Sequence, residues 1–337
     1  MVRRLLRSRV ARPLTRPASD LLDSRIRRVS GRQDRPLQKD VARLRADLDA
    51  LSARLAAQED AGKRFAELAQ AMDDSAHVLE RTARLAPALE LLLGHRLPLM
   101  ERAVDDVTLA ALVDEVRTIT AVDRADHHVA VGYATLVELE ARGLGRIAGS
   151  TENVVGKLTT APLLDPPGDD VLEIGTLFGL FAAGLHRQLS RRGRSPRLTI
   201  VDPLDGVQVQ TDRSGNTDRT AVPVVEAVVS QNLRLAGVPD GDARIVRGFS
   251  GDERVREAVG DRQYGLVVVD GDHSARGVAA DLEWVEKIAA PGAVVVVDDY
   301  GDPKWRGVQA GVDAHLSEST RLGVIGVVAS SVYLRAD

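Results

Sequence analysis

The chain contains no cysteine. That absence excludes a disulfide scaffold, a cysteine nucleophile and any zinc or iron–sulfur site built on thiolates. Long hydrophobic runs are missing too. The best candidates, residues 89–93 and 293–297, fall far short of the ~18–20 residues that a membrane-spanning helix needs. The first residues lack the uninterrupted apolar core of a secretory signal. What remains is ordinary for a soluble globular chain: 337 residues, 44% hydrophobic and 28% charged, enough for roughly two domains.

Charge is scarce in net terms, −4, but it is unevenly spread. Residues 1–36 carry eleven Arg against three Asp, so the rest of the chain is acidic. An acidic body lacks the basic face that phosphate binding requires, which argues against nucleic acid as a partner. The basic head is interrupted by Pro13 and Pro17, and the sequence predicts a solvated, poorly ordered tail. Weak contact with a membrane surface is its alternative role.

Residues 37–81 carry a heptad-like stripe: Val41, Leu44, Leu48, Leu51 and Leu55 step by three and four. Gln58 and Gly62 break the seam, which resumes weakly at Phe65, Met72 and Leu79. So narrow a stripe seeks a partner, and it predicts a short coiled coil that makes the protein a homo-oligomer. The competing reading is an amphipathic helix packed on its own chain. Residues 82–160 read as helical, with breaks at Pro87 and Pro98. His127 and His128, beside Asp123 and Asp126, read as surface polar positions rather than as a metal site.

From residue 161 the texture changes. Short β-branched runs alternate with helical stretches: 170–174, 198–201, 243–246, 266–269, 293–297, 324–329 and 332–335. Such alternation predicts an α/β domain over 161–337, with a parallel sheet covered on both faces. Ligands of such sheets sit at the carboxyl ends of the strands.

The first strand runs into Glu173-Ile174-Gly175-Thr176-Leu177-Phe178-Gly179 and a helix. This E-x-G-x-x-x-G turn lacks the G-x-G-x-x-G spacing of a dinucleotide site, which disfavours a dehydrogenase. Gly175 and Gly179 permit close backbone approach, and Glu173 suits a cationic ligand such as a sulfonium amino acid. Asp202 ends the second strand, where an acid can accept both hydroxyls of a ribose. The fourth strand ends Asp270-Gly271-Asp272-His273 and the fifth Asp298-Asp299-Tyr300. Carboxylates at the tips of neighbouring strands repel one another unless a cation joins them, and oxygen ligands select Mg²⁺, Ca²⁺ or Mn²⁺. Helix capping is the plainer role for some of these acids, Asp299 among them.

The ordered set EIGTLFG, IVDPLDG, GFSGD, VVVDGDHS and VVVDDYGDPKWRGV resembles the class I S-adenosylmethionine-dependent methyltransferases. More narrowly, it is similar to the Mg²⁺-dependent sugar O-methyltransferases of the macrocin O-methyltransferase type. The resemblance covers about half the chain and does not reach residues 1–150. It implies a Rossmann-like seven-stranded sheet with a reversed last hairpin, and methyl transfer by direct displacement at the sulfonium. It implies that Glu173, Gly175, Thr176 and Gly179 line the cofactor's methionine part, that Asp202 holds the ribose, and that Ser250 lies near the adenine. Asp270, also close to the cofactor, would hold Mg²⁺ with Asp298 and Asp299. Asp272 would be the general base, with His273 its competitor.

The implied acceptor is a hydroxyl of a small molecule or glycan, foremost a sugar, and the implied location is cytoplasmic. The polar stretch 208–218 lacks the aromatics of a sugar-stacking wall, while Arg213, Asn216 and Arg219 suit an acidic or polar acceptor. Tyr300 and Trp305 are candidates for an aromatic wall. Two other readings remain. One is a catechol-type enzyme, which usually has a lysine just after the fourth strand; here Asp272, His273, Ser274 and Arg276 stand there, which disfavours it. The other is a coiled-coil assembly protein with a non-catalytic domain.

Overall fold

A computed structural model describes residues 35–93, 102–207, 218 and 220–337. Most of the basic head, together with Arg213, Asn216 and Arg219, lies outside these residues, as do the expectations placed on them. The chain divides into two compact units, residues 1–89 and 90–337.

In the first unit one helix, α1 (Arg35–Leu93), runs for 59 residues. Pro36 sits in its first turn, where the missing N–H leaves no bond unmade. The break expected at Pro87 does not occur: the helix continues to Leu93. Leu44, Leu48, Leu51 and Leu55 are all exposed. The stripe that the heptad spacing marked out is therefore not buried by the described residues.

The second unit contains three helices before its first strand: α2 (Asp106–Thr120), α3 (Ala125–Arg142) and α4 (Thr151–Leu163). There follow β1 (Asp170–Ile174), α5 (Leu180–Arg191), β2 (Arg197–Asp202), α6 (Glu226–Ala236), β3 (Ala243–Arg247) and α7 (Glu253–Val259). The chain ends with β4 (Tyr264–Val269), α8 (Ala275–Ile288), β5 (Ala289–Val297), α9 (Arg306–Ser317), β6 (Leu322–Val328) and β7 (Ser331–Ala336). All seven strands join one sheet in the order β3-β2-β1-β4-β5-β7-β6. The pairs among β1 to β5 are parallel, and β7 is antiparallel to both neighbours. This is the seven-stranded sheet with a reversed last hairpin that the resemblance implied.

Strand side chains alternate between faces, and two cores result. Val171, Leu266, Val268, Val294 and Val296 pack with α2 to α6. Leu172, Ile174, Val267, Val269, Val295 and Val297 pack with α7, α8 and α9. Helices α2 to α4 thus share the core of the sheet, so the compact unit extends well upstream of residue 161. The loop between α3 and α4 is fixed by a buried ion pair. Arg102 binds Glu140 at 2.7 Å and reaches the carbonyls of Ile147 and Gly149, while Glu140 accepts from the Ile147 N–H at 2.7 Å. Ser150 then caps α4 by accepting from the Asn153 N–H. Strand order reverses between β1 and β4, and that crevice at the carboxyl edge is where a ligand is expected.

Candidate active site

The crevice opens into a cavity of about 690 Å³. Glu173, Gly175, Thr176, Asp202, Ser250, Asp270, Asp272, His273, Asp298 and Asp299 all line it. Gly179 does not, and instead begins α5 in a left-handed conformation, φ 75°.

The turn after β1 is pulled against β4. Gly175 adopts φ 83°, and a Cβ there would stand 2.0 Å from the Asp270 carbonyl, so only glycine fits. Asp202 locks the same turn from β2. Its Oδ2 accepts the N–H groups of Thr176 and Leu177 at 2.9 and 3.4 Å, and its Oδ1 accepts that of Leu204 at 2.9 Å. Burial raises the pKa of Asp202 against these bonds. Glu173 is buried and hydrogen-bonded to the Thr176 hydroxyl. Burial pushes its pKa up to about 8, so in the ligand-free protein it holds a proton at neutral pH. The sequence reading took Glu173 as a standing negative charge; its surroundings make that charge conditional on a cation nearby.

Two acidic clusters form where one was expected. Asp298 belongs to the deeper one. Its Oδ1 accepts from Asn153 Nδ2 and Ser331 Oγ, both at 2.8 Å, and its Oδ2 is bonded to Lys157 Nζ. Burial disfavours the ion, but Lys157, Asn153 and Ser331 hold the Asp298 pKa down to about 2. Lys157, 2% exposed in its side chain, also lies 4.0 Å from Asp270 and 4.9 Å from the Phe181 ring centre. Burial works against its charge, but Asp298 and Asp270 outweigh burial and raise its pKa. The residues just after the fourth strand include no lysine; α4 brings Lys157 to Asp298, 141 residues away in the chain.

The shallower cluster is Asp270, His273 and Asp299. One ligating atom from each lies within 4.8 Å of the others, the one such group among the described residues. His273 Nε2 stands 3.3 Å from Asp270 Oδ1 and 3.6 Å from Asp299 Oδ2. Trp305 packs edge-on to the imidazole at 4.4 Å. Burial, then Asp298 and Asp270, push the Asp299 pKa up to about 7. Burial and Asp298 likewise raise Asp270. Burial opposes the charged form of His273, but Asp270 and Asp299 overcome it and its pKa is raised. Asp272 faces the start of α8, accepting from the Ser274 N–H at 2.8 Å and the Ser274 hydroxyl at 3.0 Å. Tyr300 donates to Asp313 at 2.9 Å and does not line the cavity, whereas Trp305 does.

Asn153, Lys157 and Ser331 escaped the sequence reading because no motif marks them. Their signal is spatial: α4 and β7 converge on the end of β5.

Residues 172–300 match a family described as a methyltransferase domain. No curated protein matches the chain significantly. Among solved structures, cofactor-bound Rv0187 from MTB is 20% identical, covering 63% of this chain and 90% of its own, with a TM-score of 0.42. The O-methyltransferase NovP is also 20% identical, covering 63% and 97%, with a TM-score of 0.43. TomG from Streptomyces achromogenes, an O-methyltransferase involved in tomaymycin synthesis and solved with SAM, is 19% identical. It covers 63% of this chain and 91% of its own, with a TM-score of 0.39. The match over residues 172–300, the strand order and the turn that follows β1 all agree with the resemblance to the class I S-adenosylmethionine-dependent methyltransferases.

Proposed function

We propose that the protein transfers a methyl group from S-adenosylmethionine to a hydroxyl oxygen of a small molecule or glycan, foremost a sugar, with the help of a divalent cation. The observation that carries this reading is the joining of Asp270, His273 and Asp299 beside the turn that follows β1, in one cavity. Glu173, Gly175 and Thr176 are assigned to the methionine part of the cofactor. Asp202, already bonded to three backbone N–H groups, keeps lone pairs for a ribose. Ser250 borders the adenine.

The donor set fits a divalent cation. Asp270 and Asp299 are close, largely buried and raised in pKa, the state of carboxylates that lack a counter-charge. Asp270 and Asp299 would be the ligands, with Asp298 behind them as a charge already neutralised by Lys157. Such an ion, when bound, lowers the pKa of an alcohol and orients its oxygen. The chain itself supplies alignment, since the sulfonium carries its own leaving group. Asp272 or His273 accepts the hydroxyl proton: each lines the cavity, and His273 is the closer to Asp270. Trp305 offers an aromatic wall. The exposed leucine stripe of α1 joins copies of the chain as a coiled coil. Among the described residues no helix is long and apolar enough to cross a membrane. A soluble cofactor makes the cytoplasm the natural location.

The test is calorimetric titration of S-adenosylhomocysteine into the protein, with Mg²⁺ and with EDTA, beside Asp202→Ala. Micromolar binding, weakened at least roughly tenfold in the variant, is expected from the loss of a charged hydrogen-bond acceptor. Methylation of a hydroxylated acceptor panel should then need the metal. Absence of binding in every condition would remove the methyltransferase reading.

A further inference from the structure

α1 runs unbroken from Arg35 to Leu93, so the spacing of its stripe fixes heptad positions without a skip. Val41, Leu48 and Leu55 occupy a, and Leu44, Leu51 and Gln58 occupy d. The four leucines are between 44% and 64% exposed. Beyond Gln58 the a positions turn small, as Gly62, Ala69 and Ala76, so the residues from Val41 to Gln58 carry the seam. Gln58 is the polar member of that seam. Its amide has both donors and acceptors, so a second amide opposite can satisfy it once the seam is covered.

Two features point to a second copy of α1 as the cover, and to one direction for it. The first is Gln58. It faces itself when two copies run parallel and in register. Antiparallel, with the same leucines covered, it would face Val41 of the second copy. Slipped by one heptad, it would face Leu51 of the second copy. Either alternative leaves a covered amide without a partner, a cost that the in-register pair escapes. The second feature is charge. Arg54 at g stands opposite Glu59 at e of a parallel, in-register copy, and Asp40 stands opposite Arg45. Arg54 and Glu59 are exposed, and neither forms an ion pair within its own copy among the described residues. No facing g and e positions from Asp40 to Asp73 bring like charges together.

We propose that α1 pairs with α1 of a second copy as a parallel, in-register coiled coil over residues 41–58, with its register set by Gln58 and by Arg54 with Glu59. The inference rests on the reading that the leucine stripe joins copies of the chain, and it adds the direction and the register. Parallel pairing brings the Leu93 ends of both helices to one end of the rod, so both copies of the second unit are tethered there.

The chain has no cysteine, so a single-cysteine variant carries one thiol. Leu44→Cys, Leu55→Cys and an equal mixture of the two, all full-length, are equilibrated in a glutathione redox buffer and weighed after denaturation without reductant. In the parallel pair each residue faces its own copy. Each variant alone should therefore form a disulfide-linked dimer, and the mixture should give no link between residues 44 and 55. In the antiparallel pair the two copies of residue 44 stand about 17 Å apart along the axis, too far for a disulfide. Unlinked single variants beside a cross-linked mixture overturn the proposal. A second pair of variants reads the charges. Arg54→Glu should weaken self-association at least about threefold, by light scattering on dilution, and Arg54→Glu with Glu59→Arg should restore it. A double variant no stronger than Arg54→Glu alone overturns the proposal as well. A parent that is monomeric removes the coiled-coil reading and this inference with it, whereas a parent that self-associates with the antiparallel links removes the inference alone.

Discussion

Glu173 closes β1 with its side chain fully surrounded, and its pKa is raised to about 8 by that burial. The unfolded chain releases this proton near the ordinary glutamate value of about 4.3. Between the two values the folded state holds more protons than the unfolded one. Glu173 therefore contributes stability that is present below about pH 4.3 and lost as pH rises through about 8. Glu173→Gln should flatten that decline by up to about 1.4 kcal/mol per pH unit, the limit for a single proton. Urea unfolding in EDTA between pH 5 and 9 measures it, and parallel slopes for parent and variant would contradict it. On the proposal that sets the cofactor's methionine part against Glu173, the sulfonium favours the carboxylate, and the parent should release protons on binding S-adenosylmethionine.

At the scale of the element, α1 presents Leu44, Leu48, Leu51 and Leu55 to solvent along one helix of 59 residues. Isolated helices gain little stability from propensity alone, and most of it comes from covering an apolar face. In the proposed coiled coil a second copy of the same stripe supplies that cover. Deleting residues 1–81 leaves the second compact unit, residues 90–337, intact. The shortened protein should show a smaller oligomer by light scattering while its affinity for S-adenosylhomocysteine stays within about twofold of the parent. An unchanged subunit number would reject the coiled coil. Pro87 teaches the opposite lesson about sequence signals. Proline was read as a break, yet α1 runs through it. Interior proline costs a helix roughly 3 kcal/mol, which a long helix can absorb.

On the scale of the whole domain, Lys157 and Asp298 tie α4 to the end of β5, and Ser331 adds the start of β7. Removing one partner of a buried pair strands the other charge, at about 3–5 kcal/mol. Lys157→Met should therefore lower unfolding stability by about that much. Adding Asp298→Asn should recover part of the loss, because the stranded charge is gone. A loss in the double variant equal to the sum of the losses in Lys157→Met and Asp298→Asn alone, by chemical denaturation, would show that the pair carries no coupling. The same network explains why the acids at the strand tips do different work. Asp298 is neutralised from within by Lys157, while Asp270 and Asp299 face His273 and are the acids to which the proposed function assigns the cation.

The residues alone mark the alternation of strands and helices from residue 170 on and the glycine turn after β1, whereas the reversed final hairpin was implied by the family resemblance. The residues also mark which strand ends carry Asp202, Asp270, Asp298 and Asp299. These are local patterns, written in side-chain periodicity and in the residues that follow each buried run. Only the tertiary structure decided which acids meet which partners. Lys157 and Asn153 come from a helix that no motif marks. The charge of a buried group depends on desolvation and on neighbours distant in the chain, and neither quantity is local to the sequence.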